Sequence, residues 1–246
     1  MDLNISAAID YGREVLRVEQ IAPSDLASAV GSEINGRKVI ATIYGNDYDK
    51  SPVVSYGQVL CNEQETLVVI RGTSTLQEWL DDATFPLVNC GFMEGRAEQG
   101  FLSIYRTLRI AINEGSSRIW ESILSAKNLV IAGHSLGAAL ATLLAAETAK
   151  NGGRPITYTF ASPCVGDDVF ADTYRALGIE THRVFYKGDL VPEVPRRILP
   201  LFPYQHVGMS HELIDLKERS IPCRHHLQNY LHILSGGQLP LYSGCE

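Results

Sequence analysis

The chain has 246 residues, 45% of them hydrophobic and 20% charged, with a formal net charge of -7 at pH 7. This is ordinary globular composition, and the length fits one large domain over residues 1–246 with a sizeable buried core. The acidic balance disfavours both nucleic acid and anionic membrane surfaces as partners.

The amino terminus reads Met1, Asp2, Leu3, Asn4, acidic where a secretory leader would be basic, and no apolar run of leader length follows. A protein that stays inside the cell, or one whose leader has been removed, is therefore expected. No stretch approaches the roughly 20 apolar residues of a membrane-spanning helix. Five cysteines (Cys61, Cys90, Cys164, Cys223, Cys245) show no Cys-x-x-Cys spacing. Neither a zinc site nor a disulfide framework is legible, and any pairing scheme leaves an odd thiol. The oligomeric state is not legible either.

Along the chain, Ile5, Ile9, Val15 and Leu16 have helical spacing, which predicts a packing helix over 5–19 that breaks before Pro23. Four short apolar or β-branched runs then read as buried strands: TLVVI (66–70), NLVIA (128–132), ITYTF (156–160) and HRVFY (182–186). Helical patterns at 100–113 and 136–149 are long enough for crossovers between parallel strands. Strand alternating with helix predicts an α/β fold with helices on both faces of the sheet. Polar, glycine-rich segments follow each strand, where such sheets bind ligands.

One junction stands out. In GHSLG, Ser135 lies between a strand-like run and an alanine-rich helix, with Gly133 and Gly137 two positions to either side. A Gly-x-Ser-x-Gly pattern arises by chance in on the order of one chain in ten of this length, so its placement between strand and helix carries the weight. A serine at such a turn is held in strained backbone angles, and the glycines let strand and helix approach. The Leu136 amide, at the helix N-terminus, is then aimed at developing negative charge.

A nucleophilic serine needs a histidine to take its proton and a carboxylate to orient that histidine. With the chain order serine, acid, histidine, the acids lying close behind strands are Asp167, Asp168 and Asp189. Asp189 is favoured at the end of its strand, in a loop stiffened by Pro192 and Pro195, although a simple turn-forming role fits its spacing equally well. His206, His211, His225, His226 and His232 are candidate bases, with His182 earlier, at the start of a strand. The run CRHH (223–226) lacks any usual metal-ligand spacing, so no metal is expected.

Taken together, VVIRGTSTLQEW, QGFLSIY, GHSLGAALA, TFASPCVGDDVF, RVFYKGDLVPEVP, YQHVG and HHLQNYL, in that order, resemble the fungal-type (class 3) triacylglycerol lipase family from about residue 39 to residue 234. The resemblance implies an α/β-hydrolase with a mostly parallel central sheet. It also implies Ser135 as nucleophile, Asp189 as acid and His225 as base, with an oxyanion hole from Thr73 and the Leu136 amide, and no metal or organic cofactor. Two positions depart from the family pattern: Arg224 stands where an aspartate is frequent, and Ala138 replaces a second glycine.

Leu76, Trp79, Leu80 and Ala83 share one helical face, and Thr75 with Glu78 can form a capping box. By resemblance, residues 75–90 are expected to form a lid over the site; an ordinary amphipathic helix fits the same spacing. The apolar run at 196–205 is a candidate acyl-site lining or, equally, a packed loop. The expected activity is carboxylic-ester hydrolysis of acylglycerols through an acyl-enzyme, at a lipid–water interface. Feruloyl esterase or phospholipase A1 activity on the same fold is the alternative. An acyltransferase would use the same residues, and a non-catalytic binding module would have lost at least one of them.

Overall fold

The computed structural model describes residues 2–46, 53–72, 85–112, 115–195, 203–215 and 217–245. The first helix, α1 (Ile5–Gln20), starts where Asn4 Oδ1 accepts the Ala7 amide at 3.1 Å. Its buried Ala8, Val15 and Val18 lie on the face turned to the sheet. Then follow β1 (Glu33–Ile34), β2 (Arg37–Asn46), β3 (Val53–Cys61), β4 (Thr66–Ile70), β5 (Leu87–Asn89) and β6 (Arg96–Glu98). Next come α2 (Gln99–Thr107), β7 (Arg109–Ile112), β8 (Gly115–Arg118), α3 (Ile119–Ile123), β9 (Leu129–His134) and α4 (Leu136–Lys150). The remaining elements are β10 (Ile156–Phe160), β11 (Gly166–Asp167), α5 (Asp168–Ala176), β12 (Glu180–Tyr186), β13 (Tyr204–Gln205), β14 (Met209–Leu213), α6 (Ile221–His225) and α7 (Leu227–Leu234).

The main sheet runs β14, β12, β10, β9, β4, β3, β2, β7, β8, with β1 paired to β2. Its five strands from β14 to β4 are parallel. Beyond β4, the strands β3, β2, β7 and β8 pair antiparallel. A small antiparallel sheet of β13, β11, β6 and β5 lies apart from it.

Alternation along the strands sorts the core into two layers, because successive side chains point to opposite faces. In β4, Leu67 and Val69 pack with α1 and α7 residues such as Val15 and Leu231, whereas Val68 and Ile70 pack with Phe101 and Leu102 of α2 and Leu140 of α4. Helix α4 is buried from Leu136 to Thr148, which accounts for its having apolar residues on every side.

The helix expected over 100–113 ends at Thr107. Leu108 turns to an extended conformation, and the run from Arg109 joins β2, Ile43 facing Ile110. A buried place in the sheet for Ile110 outweighs the weak helical preference of this segment. The absence of a legible disulfide is also corrected: Cys223 and Cys245 are bonded, leaving Cys61, Cys90 and Cys164 free. Among the described residues no helix is long and apolar enough to cross a membrane.

Candidate active site

At the end of β9 the chain makes an abrupt turn. Ser135 has φ 56° and ψ -125°, outside the regions an L-residue prefers, and its amide is held by the Phe160 carbonyl at 2.9 Å. The flanking glycines are required by crowding: a Cβ on Gly133 would lie 2.3 Å from the Gly137 oxygen, and one on Gly137 would lie 2.3 Å from the Ile70 oxygen. Strand β9, helix α4 and the end of β4 therefore meet backbone to backbone. Leu136 opens α4, so its N–H is one of those for which a helix has no internal acceptor.

The tight turn directs the Ser135 hydroxyl towards α6. Ser135 Oγ lies 3.0 Å from His225 Nε2. On the other side of the ring, His225 Nδ1 lies 2.9 Å from Asp189 Oδ2 and 3.1 Å from Oδ1. Asp189 follows β12 in a turn closed by its own amide to the Tyr186 carbonyl at 3.0 Å, and its carboxylate is buried. Val191 N–H donates to Oδ1 at 3.0 Å and Tyr230 O–H to Oδ2 at 2.6 Å. A buried carboxylate fully supplied with donors stays in place, and with it the imidazole that it orients. Burial, reinforced by Asp189, pushes the Tyr230 phenol well above its ordinary 10, so it remains a donor.

The other candidates have separate partners. Asp167 caps α5 through Phe170 N and pairs with Arg96, while Asp168 is exposed and accepts from Val169 N. His226 caps α7 through Gln228 N and stacks on Tyr242 with ring centroids 3.5 Å apart. His206 meets the Pro192 carbonyl, His232 that of Leu239, and His182 and His211 each other. Thr73 and residues 75–84 lie outside the described residues, as do 196–202. Within the rest of the expected lid segment, 87–89 form strand β5, paired antiparallel with β6, and Phe85 is buried. Tyr204 is also buried, its hydroxyl on the Phe85 carbonyl at 2.8 Å. These parts belong to the small sheet and its core.

Tyr230 lies within the family segment HHLQNYL, but nothing local in the sequence marks it as a partner of Asp189. Glu19, which reaches His134 from 115 residues away at 2.9 Å, carries no local signal in the sequence. Among the described residues, no group of three or more His, Cys, Asp or Glu side chains is arranged to hold a metal.

A serine at a strand-to-helix turn beside a parallel sheet, with a histidine and an acid from later segments, is the arrangement of an α/β-hydrolase. A sequence model described as lipase (class 3) matches residues 67–198, and the chain belongs to that family. It is 32% identical over 225 residues to a phospholipase A1-II 6 of Oryza sativa subsp. japonica, covering 74% of this chain and 53% of that protein. It is 34% identical over 175 residues to a secreted mono- and diacylglycerol lipase A of Penicillium camembertii, covering 68% and 55%. The crystal structure of a mono- and diacylglycerol lipase from Aspergillus oryzae shares the fold, with TM-score 0.69 and 22% identity over 89% of this chain and 82% of that one. The chain thus spans about half the length of these two sequence relatives.

Proposed function

We propose that this protein is a serine carboxylic-ester hydrolase that cleaves fatty-acyl esters of glycerol through an acyl-enzyme. The observation that carries this reading is the unbroken series from Ser135 Oγ through His225, at 3.0 Å, to Asp189, at 2.9 Å. His225 Nε2 takes the hydroxyl proton as Ser135 Oγ bonds to the ester carbonyl carbon, and Asp189 stabilises the imidazolium. The C–O bond to the alcohol then breaks, and the alcohol oxygen receives the proton from Nε2. Water repeats the sequence and releases the fatty acid.

The Leu136 amide, together with Thr73 by family resemblance, receives the oxyanion. Removing one such donor typically costs about 2.7–4 kcal/mol of transition-state stabilisation. The reading uses only groups of this chain, with no metal or organic cofactor. The glyceride substrate is supported by likeness to the mono- and diacylglycerol lipase of Penicillium camembertii. The rice relative, a phospholipase A1, supports a second reading in which a glycerophospholipid is the ester.

A panel of p-nitrophenyl esters from acetate to palmitate, with monoolein, phosphatidylcholine and methyl ferulate alongside, separates these substrates. Glyceride turnover above the others is expected. Dominant phosphatidylcholine cleavage would select the second reading. Ser135→Ala should abolish all turnover while the fold survives, and near-normal turnover in that variant would overturn the assignment.

A further inference from the structure

His134, next to the serine, has both ring nitrogens against acceptors. Nδ1 lies 2.9 Å from Glu19 Oε1 and Nε2 lies 2.9 Å from the backbone carbonyl oxygen of His225. A neutral imidazole carries one N–H; with Glu19 as carboxylate both partners are acceptors, and only the imidazolium donates to each of them. The Gly72 amide also donates to Glu19 Oε1, at 3.0 Å, which favours the charged carboxylate. The ring is buried, with only 7% of the side chain exposed, so an unpaired charge there would be costly.

Three segments meet at this ion pair. Gly72 precedes Thr73, the residue assigned to the oxyanion site; His134 precedes Ser135; and the His225 carbonyl belongs to the proposed base. All three hydrogen bonds converge on a pair whose acid comes from α1, which provides none of the reacting groups. We propose that Glu19 is a positioning residue: its ion pair with His134 fastens the oxyanion strand end, the serine turn and the base-bearing helix α6 to one another. This rests on the ester-hydrolase reading of the site.

The surrounding charges agree with it. Burial alone would lower the His134 pKa and raise that of Glu19, but each is opposed by the other's charge and hydrogen bond, leaving His134 raised and Glu19 lowered. The groups facing the His134 ring are Glu19 from α1, His225 from α6 with ring centroids 4.8 Å apart, and Tyr230 from α7 at 6.3 Å. Asp189, behind His225, adds a further favourable negative charge, and His226 is held lower in part by His134.

The test compares the wild type with Glu19→Gln, Glu19→Asp and Glu14→Gln. Glu14 is a buried acid of the same helix, but it pairs with Arg17 and Asn35 away from the site. It reports what a mere disturbance of the helix does. With p-nitrophenyl butyrate, Glu19→Gln should lower kcat by about 10- to 100-fold with KM changed by less than about threefold, as expected for small misplacement of reacting groups. Glu19→Asp should recover part of that loss, and Glu14→Gln should keep kcat while losing thermal stability.

The second readout is an imidazole nitrogen NMR titration, in which the wild-type His134 midpoint should lie above the ordinary 6.5 and fall in Glu19→Gln. A folded Glu19→Gln protein with wild-type kcat, or a wild-type His134 midpoint at or below 6.5, would overturn the proposal. Should the wild type cleave no ester of the panel, the hydrolase reading fails by itself, while the ring protonation still decides whether the ion pair exists.

Discussion

Tyr230 donates its buried hydroxyl to Asp189 Oδ2 at 2.6 Å, while His225 approaches the same oxygen at 2.9 Å. The acid is thus held from a helix downstream of the base. Tyr230→Phe removes the donor without changing the ring packing against Tyr186. A hydrogen bond to a charged group is worth about 1.5–3 kcal/mol, so kcat/KM for p-nitrophenyl butyrate should fall by roughly 10- to 100-fold. Unchanged kcat/KM would mean that Val191 and His225 suffice to hold the carboxylate.

Asp189→Asn and Asp167→Ala should have opposite signatures. The first presents the histidine with an amide where a carboxylate fixed its tautomer, and should lower kcat by about 10⁴-fold with little change in stability. The second weakens the α5 cap and the Arg96 pair. It should cost about 1–2 kcal/mol of unfolding free energy and leave kcat intact. Steady-state kinetics and urea unfolding on both variants check the contrast.

Cys223 is two residues before His225 and is bonded to Cys245, a sequence separation of 22. Closing a loop of that size stabilises by about 3 kcal/mol in the chain-entropy model. Tyr242 stacks on His226 and Arg219 donates to the Cys245 carbonyl, so the bond also ties the segment around Tyr242 against α6. The double variant Cys223→Ser with Cys245→Ser should unfold at a lower temperature and lose activity on warming before the wild type does. Thiol titration in denaturant should give three groups before reduction and five after it.

The Glu19 and His134 pair gives stability a defined pH window. Glu19, held below its ordinary 4.5, contributes stability that is complete above that value and is lost as pH falls through its lowered folded pKa. His134, held above its ordinary 6.5, contributes stability that is complete below 6.5 and is lost as pH rises through its raised folded pKa. The difference in urea midpoint between wild type and Glu19→Gln should therefore be largest between pH 4.5 and 6.5 and shrink on either side. A difference that is flat across that range would exclude the linkage.

What was readable from the sequence tracks how local each signal is. The strands at 66–70 and 156–160 appear with the boundaries that their β-branched runs suggest, and the serine turn was visible because its signature fits within five residues. Asp189 and His225, 36 residues apart, could be chosen among their rivals only through family resemblance. The antiparallel half of the sheet has no clear sequence pattern because β2 carries register shifts between Val39 and Ala41 and between Ile43 and Tyr44, which blur the alternation. The bond between Cys223 and Cys245 has no motif at all. Glu19 is an ordinary acid on an amphipathic helix until the fold brings α1 beneath β9.

A clash with a side chain can be relieved by trimming that side chain, whereas a clash with a carbonyl oxygen has no such second-site remedy. Both glycines beside Ser135 face main-chain oxygens, at 2.3 Å from where a methyl group would stand. No compensating replacement elsewhere in the protein can make room for alanine at either position. Divergence towards new esters must therefore work around Gly133 and Gly137, which stay fixed on either side of the nucleophile.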